Sequence, residues 1–208
     1  MTYLRFREKT VDLILVYYGP PGAGKRTTLE RLHRQAADER KTPLAVMPRA
    51  SHDRIEFGLL GNAFRGFQLR YLLKTASGDL RPPEDEAHRS LFRWVDGVVF
   101  VGDARRSRQR ENERYWLHLG RFLAENHLFR RSSRKNDPGF PVAVQWNRVD
   151  DPAPMLPTCM FRMGRPEIGI APATPVPTVA SRGKKISVPF RDCARRILHN
   201  FHRNMRKK

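Results

Sequence analysis

Short, fully apolar runs alternate with stretches of helical spacing along this 208-residue chain. The first run, Leu13-Ile14-Leu15-Val16-Tyr17-Tyr18, is continuous and rich in β-formers, which predicts a strand buried on both faces. Thr27–Asp38 follows with Leu29 and Leu32 at helical spacing. Asp53–Leu60 and Phe67–Thr75 predict two strands, joined by the turn-like Gly61-Asn62-Ala63-Phe64-Arg65-Gly66. A loop beginning at Arg81-Pro82-Pro83 leads to a helical stretch, Glu84–Trp94. Val95–Asp103 reads as a buried strand and Arg106–Leu128 as a long helix with Tyr115, Leu117, Leu119, Phe122 and Leu123 at its apolar positions. Arg130–Gly139 is a basic, polar loop, and Pro141–Trp146 is another buried strand. Asp151–Pro177 is proline-rich and aperiodic, an irregular excursion. Pro177–Ala180 predicts a last strand, and Ser187–Asn204 a last helix with Val188, Cys193, Ile197 and Phe201 on one face. Strands alternating with helices predict an α/β fold with a mostly parallel sheet. No internal repeat interrupts this order.

Composition narrows the partners. The length fits one domain over 1–208, and the formal net charge of +19 favours anionic ones. Its alternative is a solvated basic surface. Cations cluster at Arg195, Arg196, Arg203, Arg206, Lys207 and Lys208 on a basic C-terminal helix (187–208). Others stand at Arg105, Arg106, Arg108 and Arg110, and at Arg130, Arg131, Arg134 and Lys135. Part of the C-terminal group complements the helix dipole. The rest suits weak, salt-sensitive contact with an anionic membrane or an acidic protein partner. Nucleic acid ranks behind these, because only charge and no recognition motif points to it. Two cysteines, Cys159 and Cys193, make no disulfide framework. With a charged Met1–Thr10 and no apolar stretch of membrane-span length, the expected location is cytoplasmic, with peripheral contact at the inner face of the membrane. The seven histidines are scattered and form no metal-ligand spacing.

The first strand runs directly into Gly19-Pro20-Pro21-Gly22-Ala23-Gly24-Lys25, and that into a helix. This is the strand–glycine loop–helix pattern of a phosphate-binding loop. Gly22 and Gly24 allow successive backbone N–H groups to point inward around an anion. The helix start adds partial positive charge, and Lys25 adds a full one. Gly19, Gly22, Ala23, Gly24, Lys25, Arg26 and Thr27 are therefore the candidate phosphate contacts. Arg26 stands where a Ser or Thr normally holds Mg²⁺. Its guanidinium either takes the metal's place against the phosphates, or turns to solvent while Thr27 or water completes a metal site.

A second motif selects the base. Asn147-Arg148-Val149-Asp150 follows the Pro141–Trp146 strand, at the C-terminal strand edge where ligands bind in open α/β sheets. A carboxylate at Asp150 can accept from both N–H donors on the edge of guanine. The Arg148 stem can lie over the base plane. Ala180 and Ser181 can offer a backbone N–H to the guanine carbonyl. The expected ligand is GTP or GDP.

Four segments together resemble the Ras-like bacterial GTPases of the gliding-motility polarity type (the MglA group). They are Tyr17-Tyr18-Gly19-Pro20, Val95-Asp96-Gly97-Val98-Val99-Phe100-Val101, Val144-Gln145-Trp146-Asn147-Arg148-Val149-Asp150, and Ala180-Ser181-Arg182-Gly183. The resemblance implies a three-layer α/β/α P-loop domain with a six-stranded, mostly parallel sheet. It also implies a GTP/GDP switch read by regulatory or effector proteins, with a weak intrinsic GTPase. It places Thr75 where Ras-type chains carry a metal-linked Asp, Arg54 at an intrinsic catalytic arginine, and Gly78 at a γ-phosphate contact. Departures cluster in the same region. Ile55 stands where a hydroxyl residue is expected, Asp79 replaces the water-orienting Gln, and Pro21 replaces a glycine and has no N–H to give. An anionic Asp79 beside phosphate is unfavourable. The expectation is a nucleotide-binding protein with slow or absent hydrolysis and doubtful need of Mg²⁺. The alternative is a non-cycling pseudo-GTPase scaffold, or a basic membrane or nucleic-acid binder with a relict site.

Overall fold

A computed structural model describes residues 3–5, 8–48, 53–76, 90–125, 139–156 and 174–205. The buried apolar runs form the middle of one sheet. Its strands are β1 (Tyr3–Arg5), β2 (Thr10–Tyr18), β3 (Ala45–Pro48), β4 (Asp53–Phe64), β5 (Phe67–Ala76), β6 (Gly97–Asp103), β7 (Val142–Asn147) and β8 (Val176–Thr178). The order is β3-β4-β5-β2-β6-β7-β8. Strands β5, β2, β6, β7 and β8 run parallel, and β4 joins them antiparallel through its hairpin with β5. These are the six expected strands. Two short strands extend the set: β3 lies on the outer edge of β4, and β1 pairs with Thr10–Asp12 of β2, short of the stretch from Leu15 that pairs with β6.

Alternation along each central strand divides the core. Val16 and Tyr18 of β2, Val98 and Phe100 of β6, and Val144 and Trp146 of β7 face one side. There they meet Leu91 and Phe92 of a helical segment and Tyr115, Trp116, Leu119 and Leu123 of helix α2 (Gln109–Glu125). Leu13, Leu15 and Tyr17 face the other side with Val99, Val101, Ile55, Phe57 and Leu73. Helix α1 (Lys25–Gln35) covers that face with Leu29 and Leu32. Helix α3 (Ser187–Met205) covers it with Phe190, Cys193 and Ile197. Helices on both faces of the sheet give the three-layer α/β/α arrangement. Every residue of β6 and β7 is buried, as the continuous apolar runs predict.

Several boundaries differ from the sequence-based expectation. The β4–β5 turn lies at Arg65-Gly66 rather than across 61–66. Both residues have positive φ, 50° and 81°, the signature of a two-residue hairpin whose twist matches its strands. Gly61 and Asn62 stay in the strand, with an irregularity in register between Leu60 and Ala63. Helix α1 begins two residues earlier than expected and ends at Gln35. Arg106–Arg108 form a 3-10 turn ahead of α2. Residues 90–92 of the expected Glu84–Trp94 helix are helical, and residues 84–89 lie outside the described residues. So do most of the basic 130–139 loop, residues 157–173 of the irregular excursion, and the terminal cations at 206–208.

Candidate nucleotide-binding site

The parallel strands deliver their C-terminal ends to one edge, and the loops after β2, β6, β7 and β8 meet there. Gly19, Gly22 and Gly24 all have positive φ, at 149°, 72° and 100°. Two of them are required sterically as well. A Cβ on Gly19 would stand 2.2 Å from the carbonyl oxygen of Val101, and one on Gly24 would stand 2.2 Å from Asn147 Nδ2. The loop thus passes against β6 on one side and the base motif on the other.

Asn147 ends β7 and is 2% exposed. Its Nδ2 donates to the carbonyl of Ala23 at 2.7 Å. Its Oδ1 accepts from the backbone N–H of Ala180 at 2.8 Å and from Thr178 Oγ1 at 3.3 Å. One buried amide therefore ties the phosphate loop to the Ala180–Arg182 turn. Between them is a cavity of about 330 Å³ lined by Gly24, Thr27, Arg148, Asp150, Ala180 and Ser181 among others. Arg148 has φ 63°, and its Nη2 donates to the carbonyl of Gly22 at 3.1 Å. Its stem lies along the cavity wall. Asp150 is exposed at the mouth, with Arg182 Nε 3.9 Å away.

The chain is 28% identical over 155 residues to mutual gliding-motility protein MglA of Myxococcus xanthus (strain DK1622), across 73% of this chain and 75% of that one. No family model matches it. The chain is similar to the MglA-type, Ras-like small GTPases in both sequence and fold.

Other residues support this MglA-like site from behind. Lys25 is buried, and its Nζ donates to the carbonyls of Gly19 and Pro20 at 2.8 and 2.9 Å. Thr28 Oγ1 donates to the carbonyl of Gly24 and accepts from Gln145 Nε2, both at 2.8 Å. Asp103, fully buried at the end of β6, pairs with Arg105 at 2.7 Å and with Arg148 Nε at 3.6 Å. Asn112 of α2 holds its backbone, donating to the Asp103 carbonyl and accepting from its N–H. The hydrogen bond to Asp103 also raises the Arg105 guanidinium above its ordinary range. Gln145, Thr28, Asp103 and Arg108, whose Nη2 donates to the Pro21 carbonyl, are absent from the expected site residues. The first two were hidden by their separation of 117 positions. The last two sit in a strand end and an arginine-rich run that read as core and charge.

Three candidate residues make contacts outside the loop. Arg26 does not enter the loop: its Nε donates to Glu30 at 2.7 Å one helical turn on, and Nη1 lies 3.9 Å from Asp53. The guanidinium is raised above its usual range by that hydrogen bond. Its side chain is half exposed because the first turn of α1 projects this position outward, toward two carboxylates. Thr75 is buried, with its hydroxyl donated to the Tyr17 carbonyl at 2.8 Å. Arg54 is ion-paired with Glu56 at 2.8 Å on β4. Burial and Arg54 together lower the nearby Lys74 ammonium, with Glu56 opposing them. Gly78 and Asp79 lie outside the described residues.

The position that carries a metal-binding hydroxyl in Ras-type chains holds the outward Arg26 instead. The Thr75 and Thr28 hydroxyls donate to backbone carbonyls, and Thr27 lines the cavity. Among the described residues no cluster of His, Cys, Asp and Glu suits a metal ion.

Proposed function

We propose that this chain is a guanine-nucleotide-binding regulatory protein that takes GTP and GDP, with slow or absent hydrolysis. The observation that carries the reading is the double role of Asn147. It holds the phosphate loop through Ala23 and the Ala180 turn through its backbone N–H, leaving Asp150 at the mouth of the cavity between them. In that position Asp150 accepts from the guanine edge, Arg148 covers the base, and Ala180 and Ser181 offer N–H groups to its carbonyl. Gly19, Gly22, Ala23, Gly24, Lys25 and Thr27 cradle the phosphates. The likeness to MglA supports a switch-type protein whose partners are regulatory or effector proteins. A role in motility or polarity rests on that relative's name alone.

Phosphoryl transfer in such sites depends on positioning and charge neutralisation. The outward Arg26, and Thr75 in place of a metal-linked Asp, argue for a chain that binds nucleotide without efficient turnover. They also favour a second reading, a scaffold that holds one nucleotide and does not cycle. The basic surface suits weak contact with anionic lipid. No helix among the described residues is long and apolar enough to cross a membrane.

Calorimetric titration with GDP and GTP, each with Mg²⁺ and with EDTA and with ATP as control, tests the reading. Guanine-specific binding supports it. Equal binding of ATP removes the base assignment, and absence of any binding removes the function. Single-turnover GTP hydrolysis then separates a slow switch from a scaffold.

A further inference from the structure

Five successive carbonyls of the phosphate loop accept hydrogen bonds from side chains. Lys25 takes those of Gly19 and Pro20, Arg108 Nη2 that of Pro21 at 2.5 Å, Arg148 that of Gly22, and Asn147 that of Ala23. Carbonyls engaged by side chains leave an anion to the backbone N–H groups of the loop, of which that of Ala23 closes the turn onto the Pro20 carbonyl at 3.3 Å. Pro21 interrupts that row because it has no N–H. A guanidinium stands at this same residue.

Arg108 reaches the loop from the 3-10 turn between β6 and α2. Glu111 orients its fork: Oε1 accepts from Nη1 at 2.8 Å, and Oε2 lies 2.5 Å from Nη2. Its Nε is buried beside the loop without a hydrogen-bond partner, a donor left unsatisfied at a cost. An added Cβ on Gly22 would lie 3.9 Å from Arg108 Nη2, so the fork flanks the loop at Pro21-Gly22. The cavity that suits the base is lined instead by Gly24, Thr27, Asn147, Asp150, Ala180 and Ser181, and not by Pro21 or Arg108. With a base in that cavity, Pro21 and Arg108 flank the part of the loop that is left for the phosphates.

We propose that Arg108 contacts the outermost phosphate of a bound nucleoside triphosphate, supplying the donor that Pro21 lacks, and thereby selects triphosphate over diphosphate. The inference rests on the guanine-nucleotide reading above. The guanidinium fork matches phosphate oxygens, and a swing of Nη2 from the Pro21 carbonyl and Glu111 Oε2 brings it onto them while Nη1 keeps Glu111 Oε1. A diphosphate does not reach it.

Calorimetry with GDP and a non-hydrolysable GTP analogue, on the wild-type chain, Arg108→Ala and Arg108→Gln, tests this. Gln keeps a donor for the Pro21 carbonyl and loses the charge. Both variants are expected to weaken the triphosphate about tenfold more than GDP. Equal weakening of both ligands, or none, overturns the proposal and leaves Arg108 as a clamp on the loop. Retention of the wild-type ratio by Arg108→Gln overturns it even where Arg108→Ala unfolds, and melting temperatures without nucleotide identify that case. A wild-type chain that binds neither nucleotide overturns the guanine reading and this inference together, and is read before any variant.

Discussion

Asn147 and Ala23, 124 positions apart, are joined by a 2.7 Å hydrogen bond from the Asn147 amide to the Ala23 carbonyl. The same side chain accepts from the Ala180 N–H. The glycine loop and the Ala180 turn are thus tied to one buried group, so neither is positioned independently of the other. Asn147→Ala leaves the Ala180 N–H and the Ala23 carbonyl without their partner. The expected cost is about 2–3 kcal/mol, read as a lower urea midpoint with unchanged slope. Nucleotide affinity falls further than stability alone explains. Unchanged affinity would detach Asn147 from the site.

The two close glycines fail in different ways. Gly19 faces a backbone carbonyl that has nowhere to go, so Gly19→Ala is expected to cost about 3 kcal/mol and to lower the melting temperature strongly. Gly24 faces the end of a side chain. Gly24→Ala is expected to displace Asn147, and so to cost at least about 2–3 kcal/mol, as Asn147→Ala does, together with guanine selectivity over adenine. Gly19→Ala should keep that selectivity in the fraction that stays folded, and equal loss of selectivity in the two variants would contradict this distinction.

The frame was legible in the sequence because burial on both faces leaves continuous apolar runs, and the six expected strands are present. The base motif was legible because Asn and Asp three apart follow such a run. What was not legible is long-range: Gln145 reads as a polar slip inside a strand until Thr28 is beside it. The hairpin misled for a local reason. Gly61 and Asn62 are turn formers by composition. The bend instead fell at Arg65-Gly66, while Gln68 Nε2 donates to the Gly61 carbonyl at 2.5 Å, and Gly61 packs where any Cβ would meet the Tyr71 ring. Arg26 was weighed as a phosphate contact. Only the direction of the first helical turn, toward Glu30 and Asp53, decides against it.

Arg26→Thr is expected to leave stability within about 0.5 kcal/mol, because an exposed pair one turn apart contributes little. The new hydroxyl stands where Ras-type chains hold the metal. Nucleotide affinity should therefore become more Mg²⁺-dependent than that of the parent. Calorimetry with Mg²⁺ and with EDTA reads both proteins. A parent already as Mg²⁺-dependent as the variant would mean that the metal is held by other groups.

Cys193 makes the fold sensitive to alkali. Its thiol is fully buried under β6, and burial pushes its pKa far above the ordinary thiol range, with Asp192 adding to the effect. Tyr17, beside it in the same core, is raised by burial first and by Cys193 second. A raised folded-state pKa stabilises fully below the unfolded value and loses that contribution as pH rises. The loss therefore begins near about pH 8.5, where the unfolded thiol ionises, with a slope of up to about 1.4 kcal/mol per pH unit. Cys193→Ala should flatten urea-derived stability between about pH 8.5 and 10 relative to the parent. Parallel curves would remove Cys193 as the cause.

Thr28 and Gln145 form the second tie behind the phosphate loop. Gln145 is fully buried on β7. Its Nε2 donates to Thr28 Oγ1, and its Oε1 has no partner. Thr28→Val keeps the shape but strands the Gln145 amide, and should cost about 1–3 kcal/mol. Gln145→Leu removes a half-satisfied amide and should cost less. The double variant should recover part of the Thr28→Val loss, since two apolar groups of matching shape leave nothing unsatisfied on this side. The coupling is expected to exceed about 0.5 kcal/mol in a double-mutant cycle followed by urea unfolding. Because the Thr28 hydroxyl adds to the 2.9 Å bond from its own N–H in holding the Gly24 carbonyl, nucleotide affinity should stay partly lowered in the double variant even where stability returns. Recovery of affinity along with stability would show that Gln145, and not the Gly24 contact, sets the loop.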